Sequence, residues 1–333
     1  MSFRILVSGE TGAFTAEPGE TLLDAADRAG VELLRDCRTG GCGTCRIRLL
    51  QGSVSYEEMP FALTEEEAAE GFALACQARA ECDLVIESAR SGPDLPPSTR
   101  QEATVLGIAP LADGVTALRL GLPDPLAYLP GQYANILLPD GTTRSFSMAT
   151  APGGDLEFHI RGTGGLFTAG ILPGLRKGDR LALDLQLGGF VHRAADFRPL
   201  LFLATGTGIA PVRAILESLL DDGDCPPVTI YWGGRTLDDL YLHEEIAGWA
   251  DRLTDFRFVP VLSRAGAEWG GARGHVQDAC LAEMLDVPEC AAYLCGSPAM
   301  VRDARAALLR QGANPAFLYV EGFTTAVSGA LAN

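Results

Sequence analysis

Three cysteines crowd into nine positions of this chain: Cys37-Arg38-Thr39-Gly40-Gly41-Cys42-Gly43-Thr44-Cys45. A fourth, Cys76, follows 31 positions after Cys45. The spacing C-x4-C-x2-C with a distant fourth sulfur is that of a plant-type [2Fe–2S] site, so Cys37, Cys42, Cys45 and Cys76 are the expected metal ligands. Bringing three thiolates of one loop onto two irons forces unusual backbone angles and close approach. Gly40, Gly41 and Gly43 supply both. Zinc is the poorer reading. It favours two short cysteine pairs, and Cys76 has no close partner except Cys82.

The other cysteines fit this view. The total is nine, an odd number, in a chain of 333 residues. The start, Met1-Ser2-Phe3-Arg4-Ile5-Leu6-Val7, lacks a charged segment followed by a long apolar one. No signal peptide is read, a disulfide framework is disfavoured, and a cytoplasmic location is expected. Cys82, Cys225, Cys280 and Cys290 read as ordinary thiols. Apolar runs such as Pro199–Ala204 are far too short to span a bilayer, so no membrane partner is expected.

The net charge of −17 argues against nucleic acid as a partner. Residues 1–90 alone hold 16 acidic and 8 basic side chains. That excess suits solubility, or steering toward a partner with a basic patch.

Three segments are expected: 1–90, 101–197 and 198–333. The stretch Ser91-Gly92-Pro93-Asp94-Leu95-Pro96-Pro97-Ser98-Thr99 reads as an extended linker. In the first segment, strands are expected at Phe3–Val7 and Ala13–Ala16. A helix follows, capped by Thr21, striped by Leu22, Leu23 and Ala26, and closed by Gly30. The middle segment alternates short β-like runs with Gly/Pro turns, at Thr116–Leu120, Ala134–Leu138, Leu156–Ile160 and Arg180–Leu185. That pattern predicts a small antiparallel barrel or sandwich. In the last segment, strands at 200–204, 228–232, 258–262 and 291–294 alternate with helices at 211–220, 238–250, 276–285 and 298–311. This predicts a doubly wound parallel sheet.

Two motifs in the middle segment suit a flavin. Arg144-Ser145-Phe146-Ser147 follows Pro130-Gly131-Gln132-Tyr133. An arginine can pair with a phosphate, an aromatic ring can lie on an isoalloxazine, and a serine hydroxyl can bond its N5. Gly164-Gly165-Leu166-Phe167-Thr168 puts two glycines before a helix start, as a pyrophosphate cradle requires. Either alone reads equally as a strand with a turn. Two motifs in the last segment suit a nicotinamide dinucleotide. A strand runs into Gly206-Thr207-Gly208-Ile209-Ala210-Pro211 and then a helix, with Pro211 as its first residue. Tyr293-Leu294-Cys295-Gly296-Ser297-Pro298 ends a later strand, where open α/β sheets bind ligands. Cys295 reads either as a buried thiol or as a sulfur beside the nicotinamide C4.

In this order the motifs resemble the ferredoxin–NADP⁺ reductase-like superfamily, in particular the single-chain reductase components of bacterial multicomponent oxygenases, such as those for benzoate, naphthalene, terephthalate and phenol. The resemblance covers nearly the whole chain. Its Arg-x-Tyr-Ser motif stands here as Arg144-Ser145-Phe146-Ser147, and its Gly-Gly-x-x-Ser motif ends in Thr168. Gly-Thr-Gly-x-Ala-Pro is intact at 206–211 and Cys-Gly-x-Pro at 295–298. Glu321 and Phe323 match a near-terminal acidic residue and an aromatic.

The resemblance implies a β-grasp ferredoxin domain, a six-stranded FAD barrel and an α/β NAD domain. It implies [2Fe–2S], FAD and a nicotinamide nucleotide as cofactors and an oxygenase, of Rieske or di-iron type, or an intermediate ferredoxin as electron acceptor. Ser147, Cys295, Glu321 and Phe323 are the implied catalytic residues, with Phe323 shielding the flavin until nicotinamide displaces it. Arg144, Ser145, Phe146, Ser147, Gly164, Gly165, Thr168, Gly206, Thr207, Gly208, Arg235, Cys295 and Gly296 are the expected cofactor contacts.

Two other functions share much of this layout. One is a reductase for a pyridoxamine-dependent sugar dehydratase. The other is a flavin and iron–sulfur carrier or sensor without hydride transfer. Within Gly233-Gly234-Arg235-Thr236-Leu237-Asp238-Asp239, Arg235 is placed to meet a nucleotide phosphate, and Ser263-Arg264 to reach the adenosine end. Asp238 and Asp239 would repel a 2′-phosphate, which favours NADH.

Overall fold

The computed structural model describes residues 2–8, 13–31, 33–34, 38, 40–41, 43, 45–60, 62–88, 95–220, 223–284 and 286–322. They fall into two compact units, Met1–Asp94 and Leu95–Asn333. No helix among them is long and apolar enough to cross a membrane.

In the first unit the elements are β1 (Phe3–Val7), β2 (Ala13–Ala16), α1 (Leu22–Ala29), β3 (Arg46–Gln51), β4 (Val54–Ser55), α2 (Glu65–Ala69), β5 (Phe72–Leu74), β6 (Arg79–Ala80) and β7 (Leu84–Ser88). The main sheet has the order β2-β1-β7-β3-β5. β1 and β7 run parallel and the other neighbours antiparallel. Leu22, Leu23, Ala25 and Ala26 of α1 pack into the core beneath this sheet. The helix begins where expected, because the Thr21 hydroxyl accepts the Asp24 N–H at 3.2 Å. It ends at Gly30, whose φ of 70° places it in the left-handed region. This grasp of a mixed sheet around one helix is the expected ferredoxin-like fold.

The second unit opens with a barrel: β8 (Thr99–Ala112), β9 (Val115–Gly121), β10 (Tyr133–Leu137), β11 (Thr143–Ser147), β12 (Leu156–Arg161) and β13 (Arg180–Leu187). The order is β11-β10-β13-β8-β9-β12, with every pair antiparallel. A bridge between Met148 and Phe158 joins the two ends, and the Ala149 N–H bonds the Glu157 carbonyl at 2.8 Å. Of the expected linker, residues 91–94 lie outside the described residues and Thr99 already opens β8.

The sheet that follows comprises β14 (Leu200–Thr205), β15 (Val228–Gly234), β16 (Phe256–Leu262), β17 (Ala272–Arg273), β18 (Ala291–Gly296) and β19 (Leu318–Gly322). Its helices are α3 (Ile209–Leu219), α4 (His243–Gly248), α5 (Val276–Glu283) and α6 (Pro298–Arg310). All strands are parallel, in the order β17-β16-β15-β14-β18-β19. One core, with α3 and α4, covers one face; another, with α5 and α6, covers the other. Residues 200–204 of β14 are therefore buried on both sides. The chain order reverses between β14 and β18, and open α/β sheets bind ligands at the carboxyl ends of strands beside such a switch point.

Three local readings change. The helix expected over 238–250 is broken into the turn Leu237–Asp239, α4 and the turn Trp249–Asp251. Leu240 and Leu242 are both buried, and a spacing of two cannot serve one helical face. α3 starts at Ile209, so Pro211 is its third residue. Its missing N–H still falls among those a helix start leaves unpaired. β19 was not expected as a strand, and it carries Glu321.

Candidate functional site

The described part of the cysteine loop is anchored by backbone. Cys45 and Cys76 are both buried, and the Ala75 N–H bonds the Cys45 carbonyl at 2.9 Å. Gly40 has φ of 74°, and a Cβ there would meet Pro60 and Gln77 at 3.0 Å, so only glycine fits without displacement. Gln77 donates to the Arg38 carbonyl at 2.8 Å, and Arg38 pairs with Asp24 and Asp27 of α1. Cys37 and Cys42 lie outside the described residues. The two described sulfurs, buried and tied through adjacent backbone, suit a thiolate-held cluster.

The second unit forms a two-walled site. On the barrel wall, Ser147 ends β11 and is buried. On the nucleotide wall, Cys295 and Glu321 are register partners on β18 and β19. The Ser147 hydroxyl donates to Glu321 Oε1 at 2.5 Å, so a bond crosses from barrel to sheet. Burial, and secondarily the charge of Glu321, pushes the Cys295 thiol well above its ordinary range. Cys295 is thus a neutral, fully buried thiol at neutral pH.

Two glycines of the nucleotide wall leave no room for a side chain. A Cβ on Gly208 would lie 2.3 Å from the Cys295 carbonyl oxygen. One on Gly296 would lie 2.2 Å from the Thr205 hydroxyl. Gly206 has φ of 54°, and its carbonyl accepts the Trp232 indole N–H at 3.0 Å. The loop therefore stands as the sequence predicts: strand, Gly-Thr-Gly turn, helix, at the carboxyl end of the interior strand β14.

The remaining expected contacts are placed less simply. Arg144 donates to the Thr143 carbonyl at 2.7 Å and to Thr142 at 3.3 Å, folding over its own turn. Ser145 is exposed and bonds Asn135 across the strand pair at 2.6 Å. Phe146 is half-buried against Phe167, with ring centroids 5.5 Å apart. The Thr168 hydroxyl accepts the Thr163 N–H at 3.2 Å and closes its own loop. Around Gly164 a Cβ would find open space, so that loop leaves room for a ligand. Phe323 lies outside the described residues.

Arg235 is not an uncommitted cation. Its guanidinium bonds Asp239 at 2.9 and 3.2 Å, and Asp239 also accepts the Arg235 and Thr236 N–H groups. These bonds, the Arg235 side chain first, hold the Asp239 carboxyl down at about 2. Asp239 therefore neutralises Arg235 and caps its turn, and Asp238 is left as the exposed negative charge.

The sequence reading missed Arg161. It ends β12, and its guanidinium lies 3.7 Å from where a Cβ on Gly206 would stand. It makes no hydrogen bond or ion pair among the described residues. A positive charge at the dinucleotide loop fits a phosphate-bearing ligand. The only signal in the sequence is its place just before Gly162-Thr163-Gly164-Gly165.

Comparison with known proteins accords with both units. Residues 5–81 match the 2Fe-2S iron-sulfur cluster binding domain, and residues 202–306 the oxidoreductase NAD-binding domain. An Amycolatopsis aromatic O-demethylase reductase subunit is 36% identical over 98% of this chain and all of its own length. The phenol 2-monooxygenase reductase component of a Pseudomonas is 34% identical, covering 99% of this chain and 97% of that protein. A Yersinia pestis CDP-6-deoxy-L-threo-D-glycero-4-hexulose-3-dehydrase reductase is also 34% identical, over 94% and 95%. The solved structure of an Amycolatopsis cytochrome P450 reductase superposes with a TM-score of 0.72 at 36% identity, covering 97% of this chain and 99% of that one. This chain thus belongs to the single-chain iron–sulfur flavoprotein reductases, oxidoreductases that join a [2Fe–2S] domain, an FAD barrel and a nicotinamide domain in one polypeptide.

Proposed function

We propose that this protein passes electrons from NADH, one at a time, to an oxygenase partner in the cytoplasm. The observation that carries the reading is the Ser147–Glu321 bond beside neutral Cys295, which unites barrel and nucleotide walls in one site. Nicotinamide releases two electrons together, a [2Fe–2S] cluster takes one, and a bound flavin converts between them.

The chain's own residues have these roles. Cys37, Cys42, Cys45 and Cys76 hold the cluster. Arg144 and the Gly164-Gly165 loop, closed by Thr168, take the flavin phosphates, with Ser145 bracing Arg144's strand and Phe146 giving an apolar face. The Gly206-Thr207-Gly208 backbone and Gly296 admit the nicotinamide dinucleotide closely, and Arg161 neutralises its phosphates. Ser147 and Cys295 orient the reacting rings, Glu321 holds the Ser147 proton, and Phe323 covers the ring before nicotinamide enters.

Two further choices follow. Asp238 stands exposed while Arg235 is already neutralised by Asp239, an arrangement that supports NADH over NADPH. The likeness to a cytochrome P450 reductase supports keeping a haem oxygenase beside Rieske and di-iron enzymes as the acceptor class. The acidic excess of residues 1–90 favours an acceptor with a basic docking face.

Steady-state oxidation of NADH with cytochrome c as acceptor tests this. Sustained turnover, with a KM for NADPH at least about tenfold above that for NADH, is expected, since one repulsive phosphate contact is worth on the order of 1.4 kcal/mol. Failure to oxidise NADH contradicts the function; a preference for NADPH contradicts the coenzyme choice.

A further inference from the structure

We propose that His159, Tyr241 and Trp232 form a positioning chain that sets how the Gly206–Gly208 loop faces the flavin strand. The inference rests on the flavin and nicotinamide reading of this site, and none of the three residues has a role in it so far.

The chain starts two residues beyond Ser147. There the Ala149 N–H bonds the Glu157 carbonyl at 2.8 Å, fixing Glu157 against the end of the flavin strand. The Glu157 carboxylate sits 3.0 Å from His159 Nε2, and this bond keeps it below the usual carboxylate range. His159 Nδ1 lies 3.1 Å from the Tyr241 hydroxyl, 82 residues away and on the nucleotide side. Burial holds Tyr241 protonated. In a neutral imidazole the pattern is then fixed: Nε2–H donates to Glu157, and Nδ1 accepts from Tyr241. The Tyr241 ring meets Trp232 edge to face, centroids 5.5 Å apart. Trp232 in turn donates its indole N–H to the Gly206 carbonyl at 3.0 Å.

The three hydrogen bonds are directional and at least partly buried, and the Tyr241–Trp232 ring contact joins them, so the chain resists sliding. His159 is the single step at which the barrel grips the nucleotide domain through a side chain that meets Tyr241. Arg161 of β12 also lies against Gly206, but the route from His159 reaches the loop through the Trp232 indole that holds the Gly206 carbonyl. Breaking the His159–Tyr241 bond should therefore leave the dinucleotide loop able to bind, but misplaced relative to the flavin. A displacement of that kind costs the chemical step more than it costs affinity. A histidine that merely satisfied its own buried polar atoms would affect stability alone.

The test uses the full-length, flavin-loaded protein with Tyr241→Phe, His159→Gln and His159→Leu. Three quantities are read: the limiting rate of flavin bleaching at saturating NADH, the Kd for NAD⁺ by calorimetry, and the long-wavelength charge-transfer absorbance when NAD⁺ meets the reduced protein. Tyr241→Phe keeps the ring on Trp232 and loses only the hydroxyl. It and His159→Leu are expected to lower the limiting rate about tenfold and weaken the charge-transfer band, with Kd within about twofold. His159→Gln, which keeps a donor and an acceptor, should recover most of both. An unchanged rate and band in Tyr241→Phe would overturn the proposal. So would losses in all three variants that merely track a lowered melting temperature. If His159→Leu fails to fold, Tyr241→Phe still decides. A wild-type protein whose flavin NADH does not bleach would instead overturn the underlying reading of the site.

Discussion

The two walls of the site are built on different principles. Beside Cys295 and Glu321, the nucleotide wall is shaped by close backbone packing at its glycines. Gly208 and Gly296 are needed because a side chain at either would strike a neighbouring atom at 2.3 and 2.2 Å. The barrel wall works through side chains: Ser147, Arg161 and His159 project from β11 and β12 toward the sheet. A backbone site tolerates almost no change in volume, whereas a side-chain site loses one interaction at a time.

The largest effect should come from the nucleotide wall. Gly208→Ala drives a methyl into the carbonyl of Cys295, which has no rotamer by which to yield. Overpacking of this kind costs about 1–3 kcal/mol, and the loop it displaces is the proposed nicotinamide cradle. NADH-driven flavin reduction should fall by more than about 100-fold, a 1 Å misplacement being enough for that. Gly248→Ala, in α4 with nothing within 4 Å of its Cβ, should keep full activity and melt slightly higher. Equal behaviour of the two variants would erase the contrast between the walls.

On the barrel wall the losses should be graded. Ser147→Ala removes one hydrogen bond worth about 1 kcal/mol or somewhat more, and should slow flavin reduction at saturating NADH about tenfold without loss of flavin. Arg161→Ala should raise KM for NADH about tenfold and move kcat little, because a phosphate contact acts alike in ground and transition states. A fall in kcat with KM unchanged would place Arg161 elsewhere in the mechanism.

The smallest effect is one of pH. Asp239 is depressed to about 2 in the folded protein, against about 3.9 when unfolded. A depressed carboxyl stabilises fully above its unfolded pKa and loses that contribution as pH falls through the folded value. Melting temperature should therefore decline between about pH 4 and pH 2, and Asp239→Asn should flatten that decline while leaving the protein less stable at pH 7. An unaltered acid slope in the variant would show that Asp239 is not the group responsible.

Local signals in the chain were read well where they were local in cause. Thr21 and Gly30 cap α1 through bonds spanning a few residues. The run Leu200–Ala204 is apolar throughout because both faces of β14 are covered. The Gly-Thr-Gly turn was legible because it sits in one stretch of chain. The rest depended on contacts between distant stretches. Glu321 meets Ser147 across 174 positions, and Tyr241 meets His159 across 82. Arg161 carries no local sign of the loop it faces, since a charged residue ending a strand is ordinary. Asp239 was read as a free negative charge, although its place four residues after Arg235 fits an ion pair on one turn. The broken helix around α4 followed from the burial of Leu240 and Leu242, which only the packed sheet reveals.

The account stands or falls on electrons entering at the two-walled site and leaving through the four cysteines. Anaerobic titration of the purified protein with NADH, followed by visible absorbance and EPR, addresses this directly. The account expects flavin and iron–sulfur absorbance to bleach together at equilibrium and a reduced-cluster EPR signal to appear, with two irons per chain. Zinc in place of iron, or a cluster left oxidised while the flavin is fully reduced by excess NADH, would contradict it.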